Sequence, residues 1–359
     1  MSQGLDKPLQ ARYNLVVSEA DFNHARSTQG PPVLPESELL AARESYLAAF
    51  CAAPPRLADA AVAWLETIQP PQWALEWSLP FWLGESFRLP SEVTRRMVLS
   101  NVVGLAYIRL QDALADGETL PIQPSLAPLL STLFYQCWMQ EYIDLFGGDQ
   151  RFWACFNQYL AEWLEATATS NDMPGPSFRG YGQDDFLRLA HRGAPLKVCV
   201  AGACLLAGRE DLLPALAEAI DHLLVGAVLL DHAQDWSDDL AAGRYNALVA
   251  YASPLPQTPE HREANERWVQ QEICLHKAGR PYFRVARDHL RIARKRAKPA
   301  NCPDLDRYLT WLDGQAAACR KRLASNAAAL LNDAVRQLFG PTVSTDDEQP
   351  DPRKGGLLK

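Results

Sequence analysis

The sequence predicts an all-α protein, a single domain of about ten helices. From Glu36 onward, apolar residues recur at i, i+3 and i+4 spacing, whereas the alternation typical of strands is scarce. Glycine and proline pairs such as Gly147-Gly148 and Gly340-Pro341 separate the periodic stretches. A chain of 359 residues with 48% hydrophobic content is long enough to bury a large core.

The predicted helices follow one another with short connections. Their approximate ranges are 36–52, 56–68, 91–116, 124–146, 149–169, 184–207, 211–241, 259–278, 280–297 and 304–338. Ser91 followed by Glu92, and Asp149 directly after a glycine pair, are typical helix starts. Residues 1–35 are rich in proline, glycine and polar residues and predict an extended N-terminal segment before the helical domain, 36–340. Residues 341–359 are charged and predict a disordered tail.

Composition narrows the class of protein. The net charge is −8 and no long basic run occurs, so nucleic acid is not an expected partner. The N-terminus lacks the apolar core of a signal peptide, and the apolar stretches are shorter than a membrane span. The eight cysteines are scattered without a C-x-x-C pair, as in a protein of a reducing compartment. We therefore expect a cytoplasmic protein without stable membrane insertion.

The most informative feature is a row of aspartates in the helix predicted over 211–241. Asp231, Asp235 and Asp239 are spaced by four residues, so each lies about 40° further around the helix axis than the one before it. Like charges at this spacing repel one another and destabilise an isolated helix. Carboxylates in a row favour a hard cation such as Mg²⁺, which commonly binds substrate phosphates as well. The sequence therefore predicts a metal-binding acidic face.

A second acidic pair ends the helix predicted over 91–116. Asp112 and Asp116 are again four residues apart, and Gly117 is a natural helix stop. A helix C-terminus favours cations, which makes a purely structural role for two aspartates less attractive. A solvated helix end is the simpler alternative for this pair alone. Together, the two acidic faces could hold several Mg²⁺ ions, with Mn²⁺ as an alternative metal, around one diphosphate.

These motifs resemble those of the class I isoprenoid synthase superfamily, which includes terpene cyclases, prenyl diphosphate synthases and squalene or phytoene synthases. The cyclase pattern Asn/Asp-x-x-x-Ser-x-x-x-Glu, followed by Gly-Asp-x-x-Asn-x-Val, is matched in part by Asp231, Asp235, Asp239 and the segment 243–249. Phytoene-type synthases carry Asp-x-x-x-Asp-x-x-x-Gly-Arg, which 235–244 satisfies. The resemblance implies an all-α isoprenoid synthase fold, with the helices around a central active-site cavity. It also implies three Mg²⁺ ions, and Asp112, Asp116, Asp235 and Asp239 as catalytic residues.

The resemblance also implies cationic groups that bind the diphosphate. These candidates lie near the start of an apolar helix, after the second acidic motif, or in the last long helix: Arg188, Arg192, Lys197, Arg244, Arg307 and Tyr308. A helix N-terminus combined with arginine and lysine suits an anion. Surface charge is the alternative for each of them, and the 311–322 stretch is an alternative match for the Arg307-Tyr308 pair.

Aromatic residues at helical spacing suggest a pocket that stabilises carbocations through the negative faces of their rings. The proposed pocket residues are Tyr107, Phe134, Trp138, Phe156 and Asn246. Ordinary core packing is the alternative for any one ring. His232 is more naturally a residue that hydrogen-bonds near the ligands than a transition-metal ligand, because no second histidine lies three or four residues away on that helix.

Three functions are compatible with these sequence features. The first is an Mg²⁺-dependent terpene synthase that ionises an allylic prenyl diphosphate of C10 to C20 and cyclises the cation. The second is a prenyltransferase, chain-elongating or head-to-head. The Gly-Gly-Lys-Arg segment of elongating enzymes is matched only by Gly84–Pro90, and the Tyr-x-x-x-Val-Ala-Gly of head-to-head enzymes has Leu196 in place of tyrosine. The third is a non-catalytic helical binding protein. Similar folds are often homodimers, so that assembly is also expected.

Overall fold

The computed structural model describes residues 30–169, 183–252, 268–269, 271–273 and 279–339, and every regular element within them is helical. The α-helices are α1 (Glu36–Ala49), α2 (Pro55–Leu65), α3 (Ala74–Phe87), α4 (Ser91–Ala115), α5 (Ala127–Phe146), α6 (Gln150–Thr169), α7 (Gln183–Ala190), α8 (Leu196–Leu206), α9 (Leu213–Ala242), α10 (Ala247–Ala252), α11 (Gly279–Ala297) and α12 (Pro303–Phe339). Single 3₁₀ turns at Glu66–Ile68, Pro124–Leu126, His191–Gly193, Glu210–Leu212 and Lys298–Ala300 join some of them.

The predicted fold class is confirmed, and most predicted helices have close counterparts. The prediction for 91–116 corresponds to α4, and that for 211–241 corresponds to a 3₁₀ turn followed by α9. Most of the helix predicted over 259–278 lies outside the described residues, as do residues 1–29 of the N-terminal segment and the tail from 341. The described part of the N-terminal segment, residues 30–35, has no regular secondary structure and leads into α1.

Helix α3 was missed by the sequence interpretation. Its residues are apolar on nearly all sides, and nine of them are buried, including the internal Pro80. A helix surrounded by protein has no polar face, so the amphipathic pattern that identifies surface helices is absent. The short helix α10 was also missed.

The helix predicted over 184–207 is broken in two. α7 and α8 meet at an angle of 80°, with the 3₁₀ turn His191–Gly193 between them. Pro195 directly precedes α8, in agreement with its predicted place at the start of a new helix. The bend carries Arg192, one of the predicted diphosphate ligands.

The two acidic motifs lie on two long helices that are each packed on several sides. α9 packs against α7, α8, α10 and α11, while α4 packs against α1, α3 and α5. Close helix approaches depend on glycine: a Cβ added at Gly104 of α4 would lie 2.7 Å from the indole of Trp138. A Cβ at Gly226 of α9 would likewise lie 2.6 Å from Leu290. These approaches hold α4 and α9 in place around the site.

One helical stretch among the described residues, Glu210–Ala242, is long and apolar enough to cross a membrane. However, 56% of its apolar window is buried inside the protein, as expected for a core helix. The bent pair formed by α7 and α8 passes the same test only if both helices are counted as one span.

Candidate active site

The acidic pair on α4 lies where the helix ends. Asp112 is in the last turn of α4 and Asp116 caps it, and both side chains are about four-fifths shielded from solvent. The Arg192 guanidinium donates a hydrogen bond to Asp116 Oδ2 at 3.1 Å and lies 3.8 Å from Asp112 Oδ1. The Oδ1 atom of Asp112 is buried without a hydrogen-bond partner. Burial raises the pKa of Asp112, and the charge of Arg192 opposes that rise.

Two carboxylates of the acidic row on α9 have different surroundings. Asp239 is held by hydrogen bonds, whereas the charged form of Asp231 is disfavoured. Asp239 is buried, and its two oxygens accept hydrogen bonds from Arg244 Nε and Asn246 Nδ2, both at 2.9 Å. Asp231 is accessible to solvent, but the surrounding protein still reduces its hydration. This desolvation, together with the charges of Asp235 and Asp239, raises the pKa of Asp231 to about 6. A cation bound here would relieve that repulsion.

The turn after α9 is built to hold Asp239. Gly243 ends the helix with φ of 71°, a left-handed conformation that suits glycine. The Asn246 side chain accepts hydrogen bonds from the backbone N–H groups of Leu248 and Val249, so it caps α10 while its amide donates to Asp239. Asn246 was predicted as a pocket residue, whereas the structure shows that it positions a predicted metal ligand.

His232 supports the same turn. Its Nδ1 accepts a hydrogen bond from the backbone N–H of Ala247 at 3.1 Å, and its carbonyl accepts one from the Asn246 amide at 2.8 Å. Burial lowers the pKa of His232 to about 4, so the imidazole is neutral and Nδ1 stays an acceptor. This agrees with the hydrogen-bonding role predicted for it.

The two acidic faces lie near the same two arginine side chains, Arg109 and Arg192. The positive charges of Arg192 and Arg109 oppose the effect of burial on the pKa of both Asp112, on α4, and Asp231, on α9. Arg244, which hydrogen-bonds Asp239, also feels the charge of Asp116, and its pKa is raised. The structure therefore brings the two predicted motifs together.

A cavity of about 110 Å³ opens beside the α4 pair. Its wall comes from α3, α4, α5, α8, α9 and the turns next to them: Trp73, Glu76, Asn101, Gly104, Leu105, Ile108, Arg109, Asp112, Trp138, Arg192, Gly193, Pro195, Leu196 and Leu224. The wall is mainly apolar, with charged groups at Glu76, Arg109, Asp112 and Arg192. Binding pockets for drug-sized ligands are typically about 300–1,000 Å³, so a prenyl chain requires side chains of the wall to move.

Trp138 is the predicted pocket residue that lines this cavity. Tyr107 stands behind it, with ring centroids 5.9 Å apart, and Phe156 packs on Trp138 from the other side at 5.1 Å. Phe134 is fully buried against Tyr46. For these three rings, core packing explains the periodic pattern, because an aromatic stripe marks a buried face without showing which cavity it borders.

Lys197 contacts neither acidic motif, although one of its partners, Asp221, lies on an earlier part of α9. Its side chain is 2% exposed, and its ammonium nitrogen lies 2.6 Å from both Glu162 Oε2 and Asp221 Oδ1. The ring of Tyr159 lies 4.8 Å away on another side. These partners already satisfy the charge, which argues against the predicted diphosphate contact and corrects that expectation. The charged residue type was visible in the sequence, whereas the side of α8 on which it lies was not.

The remaining predicted diphosphate ligands are divided between the site and the surface. Arg192 and Arg244 lie beside the two acidic faces, where they hydrogen-bond Asp116 and Asp239. Arg188 is exposed at the end of α7, and Arg307 is exposed and paired with Asp304 on its own helix. Tyr308 is buried between Trp82 and Trp311, with ring centroids 5.7 and 5.6 Å away. The placement of Arg307 and Tyr308 argues against the predicted diphosphate-binding pair, because the tyrosine is occupied in the core.

The donor set fits a hard divalent cation. Asp112, Asp116, Asp231, Asp235 and Asp239 supply carboxylates only, and a buried Asp112 oxygen lacks a partner. Among the described residues, no three of these five lie close enough to share one ion. The group that does, with ligand atoms within 4.8 Å of one another, is Glu162, His191 and Asp221. Since the Lys197 ammonium is bound between Glu162 and Asp221, that cluster already holds a cation.

Comparison with protein-family models and with curated proteins gives no match. Solved structures do resemble the chain. Geranylgeranyl pyrophosphate synthetase from the archaeon Geoglobus acetivorans aligns with a TM-score of 0.63 and 14% identity, over 77% of this chain and 96% of that one. A polyprenyl synthase from Caulobacter crescentus, complexed with calcium and isoprenyl diphosphate, aligns with a TM-score of 0.60 and 11% identity, over 80% and 95%.

A polyprenyl synthase from Roseobacter denitrificans gives a TM-score of 0.57 and 16% identity, over 80% of this chain and 96% of that one. At such low identity these similarities establish the fold. The chain has the helical isoprenoid synthase fold, as the sequence predicted. The three solved structures are named as a geranylgeranyl pyrophosphate synthetase and two polyprenyl synthases, and none of the three is named as a cyclase.

Proposed function

We propose that this protein is an Mg²⁺-dependent enzyme that ionises an allylic prenyl diphosphate and transfers the prenyl cation to a second isoprenoid unit. The observation that carries the proposal is the arrangement of two acidic helix faces around shared arginines, beside a mainly apolar cavity. A diphosphate needs cationic partners, and a prenyl chain needs an apolar wall. The described residues offer both at adjoining positions.

The proposed metal ligands come from two helices. Asp112 and Asp116 on α4, with Asp231, Asp235 and Asp239 on α9, would hold the metal ions. Bound there, Mg²⁺ would neutralise the charge that develops on the leaving diphosphate. Mn²⁺ has the same preference for oxygen ligands and is the natural substitute in an assay.

The arginines would serve the diphosphate directly. Arg192 hydrogen-bonds Asp116, and Arg244 hydrogen-bonds Asp239, so each is held at the rim of an acidic face. Divalent cations on those carboxylates would weaken these ion pairs and leave the guanidinium groups available for phosphate oxygens. Guanidinium groups bind phosphate with paired hydrogen bonds, which orients the leaving group.

The cavity wall would protect the cation. Trp138 presents an aromatic ring, and Leu105, Ile108 and Leu196 exclude water without offering a nucleophile. Water exclusion prevents capture of the cation before a carbon–carbon bond forms. A prenyl chain anchored at Asp112 would extend along this wall.

The decisive experiment is incubation of the purified protein and Mg²⁺ with C10, C15 and C20 allylic diphosphates, with and without isopentenyl diphosphate. A longer prenyl diphosphate formed only in the presence of isopentenyl diphosphate supports prenyl transfer. Chelation with EDTA should abolish the reaction. Failure of every substrate to react would overturn the proposal and favour a non-catalytic binding protein.

Site variants connect the reaction to these residues. Asp235→Asn removes a proposed metal ligand and should reduce diphosphate release by at least about 100-fold, in line with the contribution of electrostatic stabilisation in other enzymes. Asp238→Asn is a matched control, because its exposed side chain lies on the same helix outside the acidic row. Equal turnover of the two variants would remove the row from the mechanism.

Cyclisation of the prenyl cation is a second candidate, and one observation favours it. Gly243 and Val249 match two positions of the terpene cyclase motif, and Asn246, one residue before the position of the motif's asparagine, directly orients Asp239. The same incubation separates the two fates, since a cyclic hydrocarbon or alcohol formed without isopentenyl diphosphate would support the cyclase function.

A further inference from the structure

The cavity contains an acidic group that the proposed ionisation does not use. Glu76 lies on α3 and contributes to the same wall as Asp112, Trp138 and Leu196. The 110 Å³ cavity therefore joins the diphosphate end of the site to a carboxyl group among apolar side chains. A hydrocarbon that fills this cavity therefore shares its wall with Glu76.

The Glu76 side chain has no structural partner that would explain it. Asn101 donates a hydrogen bond to the backbone carbonyl of Glu76, not to the carboxylate. Apart from its own backbone N–H, the carboxylate has no hydrogen bond or ion pair to any of the described residues. A carboxylate facing an apolar cavity is costly, so a functional reason for it is needed.

The step that quenches a prenyl cation supplies such a reason. A prenyl cation that has formed its new carbon–carbon bond is quenched when a neighbouring C–H bond gives up its proton, and the electron pair of that bond becomes a new double bond. The base must stand in the hydrocarbon part of the site and must be shielded from water. Glu76 lies in the cavity wall, is only partly exposed and has lost hydration to the surrounding protein, so it suits both conditions.

We propose that the Glu76 carboxylate accepts the proton that ends the reaction. The C–H bond next to the cationic carbon breaks, its electrons form the C=C bond, and the proton moves to the carboxylate oxygen. The resulting carboxylic acid returns the proton to water or to diphosphate when the product leaves. No oxidant or additional reactant is needed, and the step is the same whether the cation arises by prenyl transfer or by cyclisation.

The environment of Glu76 suits a base that alternates between two protonation states. Removal of water around the carboxyl group raises its pKa to about 7. The charged and titratable groups around it are Arg109, Asp112 and Arg192 in the cavity wall, with Tyr308 of α12 and Cys199 of α8 behind it. Near neutral pH the ionised and neutral forms are therefore both populated, as efficient proton transfer requires.

The inference rests on the proposed ionisation, and the test separates the two. Wild type, Glu76→Gln, Glu76→Asp and the control Glu85→Gln are incubated with Mg²⁺ and the substrate that wild type consumes. Glu85 lies on the same helix with an exposed side chain. Diphosphate release reports ionisation, and chromatography of the products reports how the cation is quenched.

We expect Glu76→Gln to keep ionising the substrate while the product formed by proton loss falls at least about tenfold, replaced by water-captured alcohol or other olefins. Glu76→Asp should restore part of the original product, and Glu85→Gln should match wild type. For the product formed by proton loss, the acid limb of the rate–pH profile should be lost in Glu76→Gln and kept in Glu76→Asp.

Two results would overturn parts of this picture separately. An unchanged product pattern and pH profile in a folded Glu76→Gln variant would refute the role of Glu76 while leaving the proposed function intact. Absence of turnover in wild type would instead refute the proposed function. Should Glu76→Gln fail to fold, the inference predicts that Glu76→Asp folds and yields a changed product ratio, and an unchanged ratio there would refute it.

Discussion

Glu76 should make the stability of the protein depend on pH in a way that one substitution removes. Its carboxyl group has a pKa of 4.5 in an exposed setting, and desolvation in the cavity wall raises the pKa to about 7 in the folded state. A pKa difference of one corresponds to 1.36 kcal/mol, so the rise amounts to about 3 kcal/mol. Water that enters the cavity would reduce this value.

The direction follows from proton binding. Between pH 4.5 and about 7 the folded state binds the Glu76 proton and the unfolded state does not, so stability falls as pH rises through this window and is constant above it. In Glu76→Gln the amide does not titrate. Wild type and variant should therefore differ little near pH 4.5, and the variant should be more stable by up to about 3 kcal/mol at pH 8.

Urea denaturation of both proteins at pH 4.5 and pH 8 measures this effect. The stability difference between the two proteins isolates Glu76, because contributions of other groups are common to both. For a chain of this size the same free energy corresponds to a difference in Tm on the order of 5 °C. Glu85→Gln, with its exposed side chain, should show none of it. A pH-independent difference between wild type and Glu76→Gln would refute the reasoning about the buried carboxyl group.

Three further substitutions test how the site is held. Lys197→Met should destabilise the fold by about 3–5 kcal/mol in urea titrations, because it leaves the carboxylates of Glu162 and Asp221 without their buried partner. Unchanged stability would show that water solvates these carboxylates. Asn246→Ala should cost about 0.5–2 kcal/mol as a lost helix cap, and it should weaken Mg²⁺ binding about 10–100-fold by calorimetry because Asp239 loses its support. Gly104→Ala should lower stability by about 1–3 kcal/mol, since the new Cβ would meet Trp138, and an unchanged Tm would mean that the indole moves freely.

Much of the fold was predictable because helices with one polar face leave a periodic pattern. The acidic faces were also predictable, since aspartates four residues apart on a helix must share a side, whatever the tertiary structure. Arg192 and Arg244 were selected by their spacing from these motifs, and both stand beside the predicted carboxylates. The helix periodicity and the acidic faces are local information, within a few turns of one helix, whereas Arg192 lies on a different segment and was selected through the family resemblance.

Other features were decided by packing between distant segments. α3 has no polar face and so gave no periodic signal, although it carries Glu76. The orientation of Lys197 toward Glu162 and Asp221, rather than toward the diphosphate, follows from the 80° bend between α7 and α8. Side-chain type shows what a residue can do, but its neighbours across the fold determine what it does.

The sequence by itself therefore determined an all-helical protein with two rows of carboxylates, because helix periodicity and charge spacing are local properties. Only the tertiary structure decided which cations meet those rows, which aromatic ring lines the cavity, and that a lone carboxyl group faces it. The physical reason is that desolvation and ion pairing depend on contacts between residues far apart in the chain. In Glu76 these contacts turn one acidic residue among many into a candidate base.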